Sequence, residues 1–116
     1  MDKHQILQVL LNILNNAADA LPENGVIRIT TGTHPTEEQS ALPAKNFGVI
    51  EIADNGPGIP AAVRSRLFDP FFTTKSEGTG LGLSISQKIA RDHNGYITVS
   101  GSEGMGAAFQ LHLPLD

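Results

Sequence analysis

Cysteine is absent from the 116 residues, and so is tryptophan. Without thiols there is neither a disulfide nor a thiolate metal site, and a reducing compartment is permitted. The four histidines, His4, His34, His93 and His112, stand at no metal-ligand spacing and read as surface or packing residues. Basic charge is scarce: eight Lys and Arg against twelve Asp and Glu leave a formal charge of −4. That balance argues against nonspecific binding to nucleic acid or to an anionic membrane. An anionic ligand would have to be held by backbone amides or by a metal. No apolar run approaches a membrane span, and nothing at Met1 resembles a signal peptide. What remains, with 40% hydrophobic and 17% charged residues, is the composition of one soluble domain over residues 1–116 with a core of its own.

The first stretch, Asp2 to Leu21, organises the rest. Wrapped at a helical period it gathers Gln5, Gln8, Asn12, Asn15, Asn16 and Asp19 on one stripe. Ile6, Leu10, Ile13, Leu14, Ala17 and Leu21 fall opposite, as the core face of an amphipathic helix. A solvated face ordinarily uses Lys, Glu and Arg, whereas each interior Asn costs up to ~0.7 kcal/mol relative to Ala. Asn12 and Asn16, at i and i+4, point the same way and could offer two neutral carbonyl oxygens to one hard cation. A polar face with incidental amides explains the stripe equally well.

Asp2 with Gln5 fits a capping box, and Pro22 and Asn24-Gly25 end the helix. GVIRITTG alternates as a strand, and Thr33 to Asn46 reads as an exposed connection. FGVIEIAD supplies a second strand, the antiparallel partner of the first. DNGPGIP is a tight loop at that strand's carboxyl end. A weak helix, Ala61 to Leu67, leads into LFDPFFTTK, whose clustered phenylalanines are expected to anchor the loop. SEGTGLGLSISQKIARDHNG is a glycine-rich loop opening a helix, with Leu81, Ile85 and Ile89 at helical spacing and Gly95 as its stop. YITVSG and AAFQLHLPL close the chain as two strands around SEGMG. The sum is an α/β (α+β) two-layer sandwich, a mostly antiparallel mixed sheet covered on one face by helices.

Two loops carry candidate chemistry. GTGLGLS opens a helix, where unpaired amides and the positive helix end could receive an anion, and Gly78, Gly80 and Gly82 would admit a phosphate. No Lys-Ser or Lys-Thr follows, so it is not a P-loop, and a structural glycine turn fits as well. In DNGPGIP, Asp54 ends an apolar strand beside Gly56 and Gly58. Its carboxylate could accept from the exocyclic amine of a base while the glycines leave room for a flat ring. An Asx-turn with a solvated Asp is the simpler account of that motif taken alone.

The order of the pieces is far more specific than any one of them. The N-x-x-x-N helix, DNGPGIP, LFDPFFTTK and GTGLGLSIS resemble, in sequence and order, the N box, first glycine box, F box and second glycine box of sensor histidine kinases. DHNGYITVSGSEGMGAAFQLHLP is similar to that family's final hairpin. The resemblance implies the Bergerat-type ATP-binding fold shared with gyrase, MutL and the large heat-shock chaperone. Carried over by matching positions, it makes Asn16 the magnesium ligand, with Asn12 facing the phosphates and joining Asn16 at the metal. Asp54 would accept from adenine, with Gly56, Gly58 and Ile59 shaping the pocket floor. Thr79, Gly80, Leu81, Gly82 and Leu83 would line the phosphates, with Asp19 on the nucleotide helix nearby. Lys75 either reaches a phosphate oxygen or is a solvated loop lysine.

One position separates mechanisms. Where hydrolysing relatives carry a Glu that activates water, this chain has Asn12, and an amide cannot take a proton. The resemblance therefore implies a protein-histidine kinase catalytic domain. It would bind ATP and Mg2+ and transfer the γ-phosphoryl group to a histidine on a separate dimerisation domain, upstream of a response regulator. The expected setting is cytoplasmic, with no nucleic acid partner and no direct membrane contact by this chain. A conformationally driven ATPase of the same superfamily and a noncatalytic nucleotide-sensing module are the alternatives. Neither the phosphoacceptor domain nor the strand that usually precedes the N box is present, which implies a fragment. Ala107 and Ala108 stand where relatives often have a threonine near the base.

Overall fold

Asp2 starts the first helix by turning its carboxylate back on the chain: Oδ1 accepts from the backbone N–H of His4 at 3.0 Å and of Gln5 at 3.2 Å. The computed structural model describes residues 2–21, 23–35, 46–71, 82–101 and 106–115. Along them run α1 (Lys3–Ala20), β1 (Ile27–Pro35), β2 (Asn46–Asp54), α2 (Ala61–Arg64), α3 (Gly82–Asp92), β3 (Tyr96–Gly101) and β4 (Ala107–Pro114). Only half of the expected capping box forms. The N–H of Asp2, which Gln5 would have answered, donates instead to His93 Nε2 at 3.2 Å. That imidazole is fixed in turn, because its Nδ1 lies 2.8 Å from the Ile89 carbonyl, which can only accept.

The four strands form one antiparallel sheet in the order β1-β2-β4-β3. β1 is longer than its sequence pattern announces. Thr33, His34 and Pro35, assigned above to the connection, pair with Gly48, Phe47 and Asn46. An edge strand tolerates the proline, since one row of its backbone groups needs no partner. The remainder of that connection, 36–45, lies outside the described residues.

β4 sits in the interior of the sheet and alternates without a break. Ala107, Phe109, Leu111 and Leu113 are buried, while the residues between them are only partly covered. Phe109, Leu111 and Leu113 of that row meet Val9, Ile13, Ile52, Ile89, Ala90 and Ile97 in one core between sheet and helices. The helices lie over β2, β3 and β4, and β1 extends past them, so Ile29 is more than half exposed. On the uncovered face, Thr98 Oγ1 donates to Gln110 Oε1 at 2.6 Å, and Gln110 Nε2 donates to Glu51 Oε2 at 2.7 Å. Tyr96 stacks on His112 with ring centroids 4.3 Å apart. This polar and aromatic row lets the face meet water without a second helix layer.

The core face of α1 is rotated from the one the helical wheel suggests. Val9, left out of it, is fully buried with Ile13 and Ala17, whereas Ile6, Leu10 and Leu14 are only partly covered. The reason is α3, which packs on the amide side of α1 and draws the buried arc toward the asparagines. In α3 the expected apolar spacing also shifts: Ile89 is buried, Ile85 is exposed, Leu81 lies outside the described residues, and the fully buried positions are Ser86 and Ala90. The helix ends as a Schellman motif, with Gly95 N donating to Ala90 O at 2.8 Å and Asn94 N to Arg91 O at 2.9 Å. The left-handed residue is Asn94 (φ 62), not Gly95. Gly95 is needed for another reason, since a Cβ there would stand 2.1 Å from the His112 carbonyl oxygen.

Candidate functional site

α1 and α3 run antiparallel, because Asp2 meets His93 at one end and Asn12 meets the first turn of α3 farther along. This brings the amide-bearing second half of α1 to the amino end of α3. Asn12 Nδ2 donates to the Gly82 carbonyl at 3.2 Å and to Ser86 Oγ at 3.1 Å. Ser86 Oγ donates back to the Gly82 carbonyl at 2.8 Å. Asn16, one turn on, is partly buried, and Asp19 is exposed. The Asn12 carboxamide therefore stands beside a helix amino end, where backbone N–H groups have no intrahelical acceptor, with Asn16 one turn further along α1.

β2 delivers Asp54 to the same end of the molecule. Asp54 pairs with Ile27, which follows closely on the end of α1, and with Ala107. By the strand period it shares a face with buried Ile52, the face the helices cover. Asp54 Oδ1 accepts from Gly56 N at 2.8 Å, the geometry of an Asx-turn. A carboxylate has further lone pairs, so this bond orients Asp54 and leaves acceptor capacity for a ligand. Asn55 clamps the loop from the other side: its Oδ1 accepts from Val26 N at 2.8 Å and its own N–H donates to Val26 O at 3.3 Å. Gly56 is buried, and Gly58 takes φ 80, a conformation open to few other residues.

Ile59 packs against the core with Leu67, Phe68 and Leu83. Of the expected phenylalanine cluster, the two described members part company. Phe68 joins the core edge, Phe71 is 74% exposed with φ 68, and Phe72 is outside the described residues. The helix expected over Ala61 to Leu67 closes at Arg64, after which turns continue to Phe71. Lys75, Thr79, Gly80 and Leu81 likewise fall outside the described residues; Gly82 and Leu83, the last of that set, open α3.

The chain that carries this amide helix, strand-terminal aspartate and glycine-led helix matches a family model over residues 1–116, described as histidine kinase-, DNA gyrase B-, and HSP90-like ATPase. The chain belongs to that ATPase family. Within it the similarity runs to histidine kinases. This ATPase-family domain is 45% identical over 115 residues to the signal transduction histidine-protein kinase AtoS of Escherichia coli K12, covering 99% of the chain and 17% of AtoS. It is 43% identical over 117 residues to the sensory histidine kinase/phosphatase NtrB of Vibrio alginolyticus, covering 99% of the chain and 33% of NtrB. Among solved structures, the nucleotide-free catalytic domain of histidine kinase ThkA superposes with a TM-score of 0.76 at 39% identity, over 98% of this chain and 68% of that one. The domain is thus of the histidine-kinase catalytic type, and it spans a minor part of the two curated relatives. Among the described residues no helix is long and apolar enough to cross a membrane.

Three further residues at the site of this histidine-kinase-type domain are not among the sequence-based candidates. Ser86 could have been noticed as a hydroxyl four residues after Gly82, on the side of α3 where an apolar residue would be expected. Arg64 donates from Nη1 to the Gly101 carbonyl at 2.6 Å and so ties the segment after DNGPGIP to the end of β3. Gly106, at φ 76, lets the start of β4 lie against the Asp54 backbone. Arg64 and Gly106 act through pairings distant in sequence.

Proposed function

We propose that this chain binds ATP with magnesium and transfers the γ-phosphoryl group to a histidine on a separate dimerisation domain, as the catalytic part of a sensor histidine kinase. The observation that carries the reading is the meeting of Asn12 with Gly82, which sets neutral amides against the amino end of α3. Asp54 would accept from the adenine amine, above a floor of Gly56, Gly58 and Ile59. Backbone amides around Gly82, with those of Thr79, Gly80, Leu81 and Leu83, would receive the phosphates, and Lys75 would reach a phosphate oxygen.

The donor chemistry suits magnesium. Asn12 and Asn16 offer neutral oxygens one turn apart, and among the described residues no three His, Cys, Asp or Glu side chains converge to hold a metal on their own. Such a set binds a hard cation together with phosphate oxygens rather than as a closed protein cage. The cation, when bound, offsets phosphate charge as the bond to the ADP leaving group breaks and the bond to the acceptor imidazole nitrogen forms. That nitrogen attacks through its lone pair, and the proton is lost to solvent from the other ring nitrogen. The chain's part is positioning and charge stabilisation, for which amides suffice. Asn12 supplies no base for water, a deficit of order 10²- to 10⁴-fold for hydrolysis, so the γ-phosphate is spared for the histidine.

The parent protein's response regulator and a cytoplasmic setting belong to the same proposal. The test is titration with a nonhydrolysable ATP analogue, with and without magnesium, on the parent chain, Asn16→Ala and Asp54→Ala. Labelled ATP and a supplied histidine domain follow. Magnesium-dependent binding lost in the first variant and base selectivity lost in the second support the site. Nucleotide binding with no transfer to any supplied histidine domain would leave a sensing module instead.

A further inference from the structure

The Asn12 carboxamide has two branches, and its neighbours dictate which one faces α3. The Gly82 carbonyl can only accept, so the branch 3.2 Å from it must be the NH2. Ser86 agrees. Its single hydroxyl proton is directed at the same carbonyl, 2.8 Å away, so a lone pair is left to receive Asn12 Nδ2 at 3.1 Å. The three groups close a ring in which every donor has an acceptor, around a serine with no solvent exposure. A flipped amide would set oxygen against oxygen at Gly82. By covalent geometry, the oxygen of Asn12 occupies the branch turned away from Gly82 and Ser86.

We propose that Ser86 is a positioning residue. With the Gly82 carbonyl it holds the NH2 of Asn12 against α3, so that an acceptor is presented to the ligand. Asn12 then serves the cation accompanying the nucleotide, or a water on that cation, and not a phosphate oxygen, which an acceptor repels. This rests on the ATP and magnesium reading above and sharpens it: of the two tasks given to Asn12, facing phosphate and joining the metal, the ring selects the second. The ring also links the ligand to the fold. Gly82 opens the helix whose amino end would face the phosphates, so a cation pulling on Asn12 bears directly on that end of α3.

The experiment compares the parent chain with Ser86→Cys, Ser86→Ala and Ser86→Thr. Binding of a nonhydrolysable ATP analogue is measured with magnesium and with a chelator, and thermal melting checks folding. The thiol keeps nearly the serine's shape but is a weak acceptor; threonine keeps the hydroxyl and adds a methyl. The expected result is that Cys and Ala cut the magnesium enhancement of affinity about three- to ten-fold, the worth of one hydrogen bond, while magnesium-free affinity stays within about two-fold. Threonine retains the enhancement. A role in packing alone predicts the reverse order, with cysteine tolerated and threonine not, and that order overturns the proposal. So does a parallel loss of both affinities. Exchange of the Asn12 side-chain NH2 protons, followed by NMR in the nucleotide-free parent, reads the ring directly: slow exchange that quickens in Ser86→Ala is expected, and exchange at the free-solvent rate overturns the ring. If the parent binds nucleotide with no help from magnesium, the cation reading under Proposed function fails, and the cation role of Asn12 falls with it even where the exchange result stands.

Discussion

Gly106 lies so close to Asp54 that a Cβ on it would stand 2.3 Å from the Asp54 carbonyl oxygen. Its φ of 76 adds a second obstacle to any side chain. Because Asp54 ends β2 and carries the candidate base-recognition carboxylate, Gly106 sets where that carboxylate can be. Gly106→Ala is expected to lower stability by roughly 2 to 5 kcal/mol, from backbone strain and overlap together. Urea unfolding measures this as a lower midpoint at unchanged slope. A midpoint within error of the parent would mean that the two backbones are not in the contact described.

Asp54→Asn separates the structural role of Asp54 from the proposed one. The amide oxygen can still accept from Gly56 N, so the turn is retained and melting is expected to change little. The amide places an NH2 where the second carboxylate oxygen was, and adenine's exocyclic amine then meets a donor. Losing a hydrogen bond to a charged group and leaving donors unpaired costs about 1.5 to 3 kcal/mol, or on the order of 10- to 100-fold in ATP affinity. Calorimetric titration of both proteins gives the ratio. Unchanged affinity in a folded variant would remove Asp54 from base recognition.

How much was legible follows from the range over which each signal acts. The alternation of AAFQLHLP is local, and β4 buries every second residue as its pattern requires. The turn at DNGPGIP and the helix opening at Gly82 are local too, and both fall where the glycines set them. The rotation of α1 was not legible, because it depends on which neighbour comes alongside. Val9 stands at the edge of the amide stripe on a helical wheel and becomes core only when α3 packs there. Ser86 was missed for the same reason: a serine in a helix reads as solvent-facing until Asn12, 74 residues earlier in the chain, is brought against it. Thr33 to Pro35 look like a loop in the sequence because an edge strand can end in proline, and only pairing with Asn46 to Gly48 shows them to be strand. At Asp54 the Asx-turn is present and stays compatible with the proposed base contact, because it uses one carboxylate oxygen and leaves acceptor capacity on the group.

The end of α3 offers two adjacent substitutions with opposite outcomes. Asn94 holds the left-handed position, so Asn94→Gly relieves a small steric cost and should change stability by no more than a few tenths of a kcal/mol to about 1 kcal/mol, in the stabilising direction. Gly95 faces the His112 carbonyl, so Gly95→Ala forces β4 and the helix end apart and should cost roughly 1 to 3 kcal/mol or more. Thermal melting of the two variants checks the order. If Asn94→Gly were the damaging change, the cap would be placed one residue wrong.

Asn12 is where stability and chemistry meet, and two acidic replacements part them. Asn12→Asp keeps the length but turns a carboxylate oxygen toward the Gly82 carbonyl, which loses a donor and gains a repulsive neighbour. A loss of about 1 to 3 kcal/mol in stability is expected, read by urea unfolding. Asn12→Glu is longer by one methylene and lets the carboxylate leave the ring, while Ser86 Oγ continues to satisfy the Gly82 carbonyl. Glutamate can take a proton from water where the amide cannot, so steady ATP hydrolysis by Asn12→Glu is expected to match or exceed that of the parent. Phosphate release under saturating ATP and magnesium measures it. A lower rate with nucleotide affinity intact would show that the Asn12 amide itself supports the chemistry, and that lack of a base at this position is not what keeps hydrolysis slow.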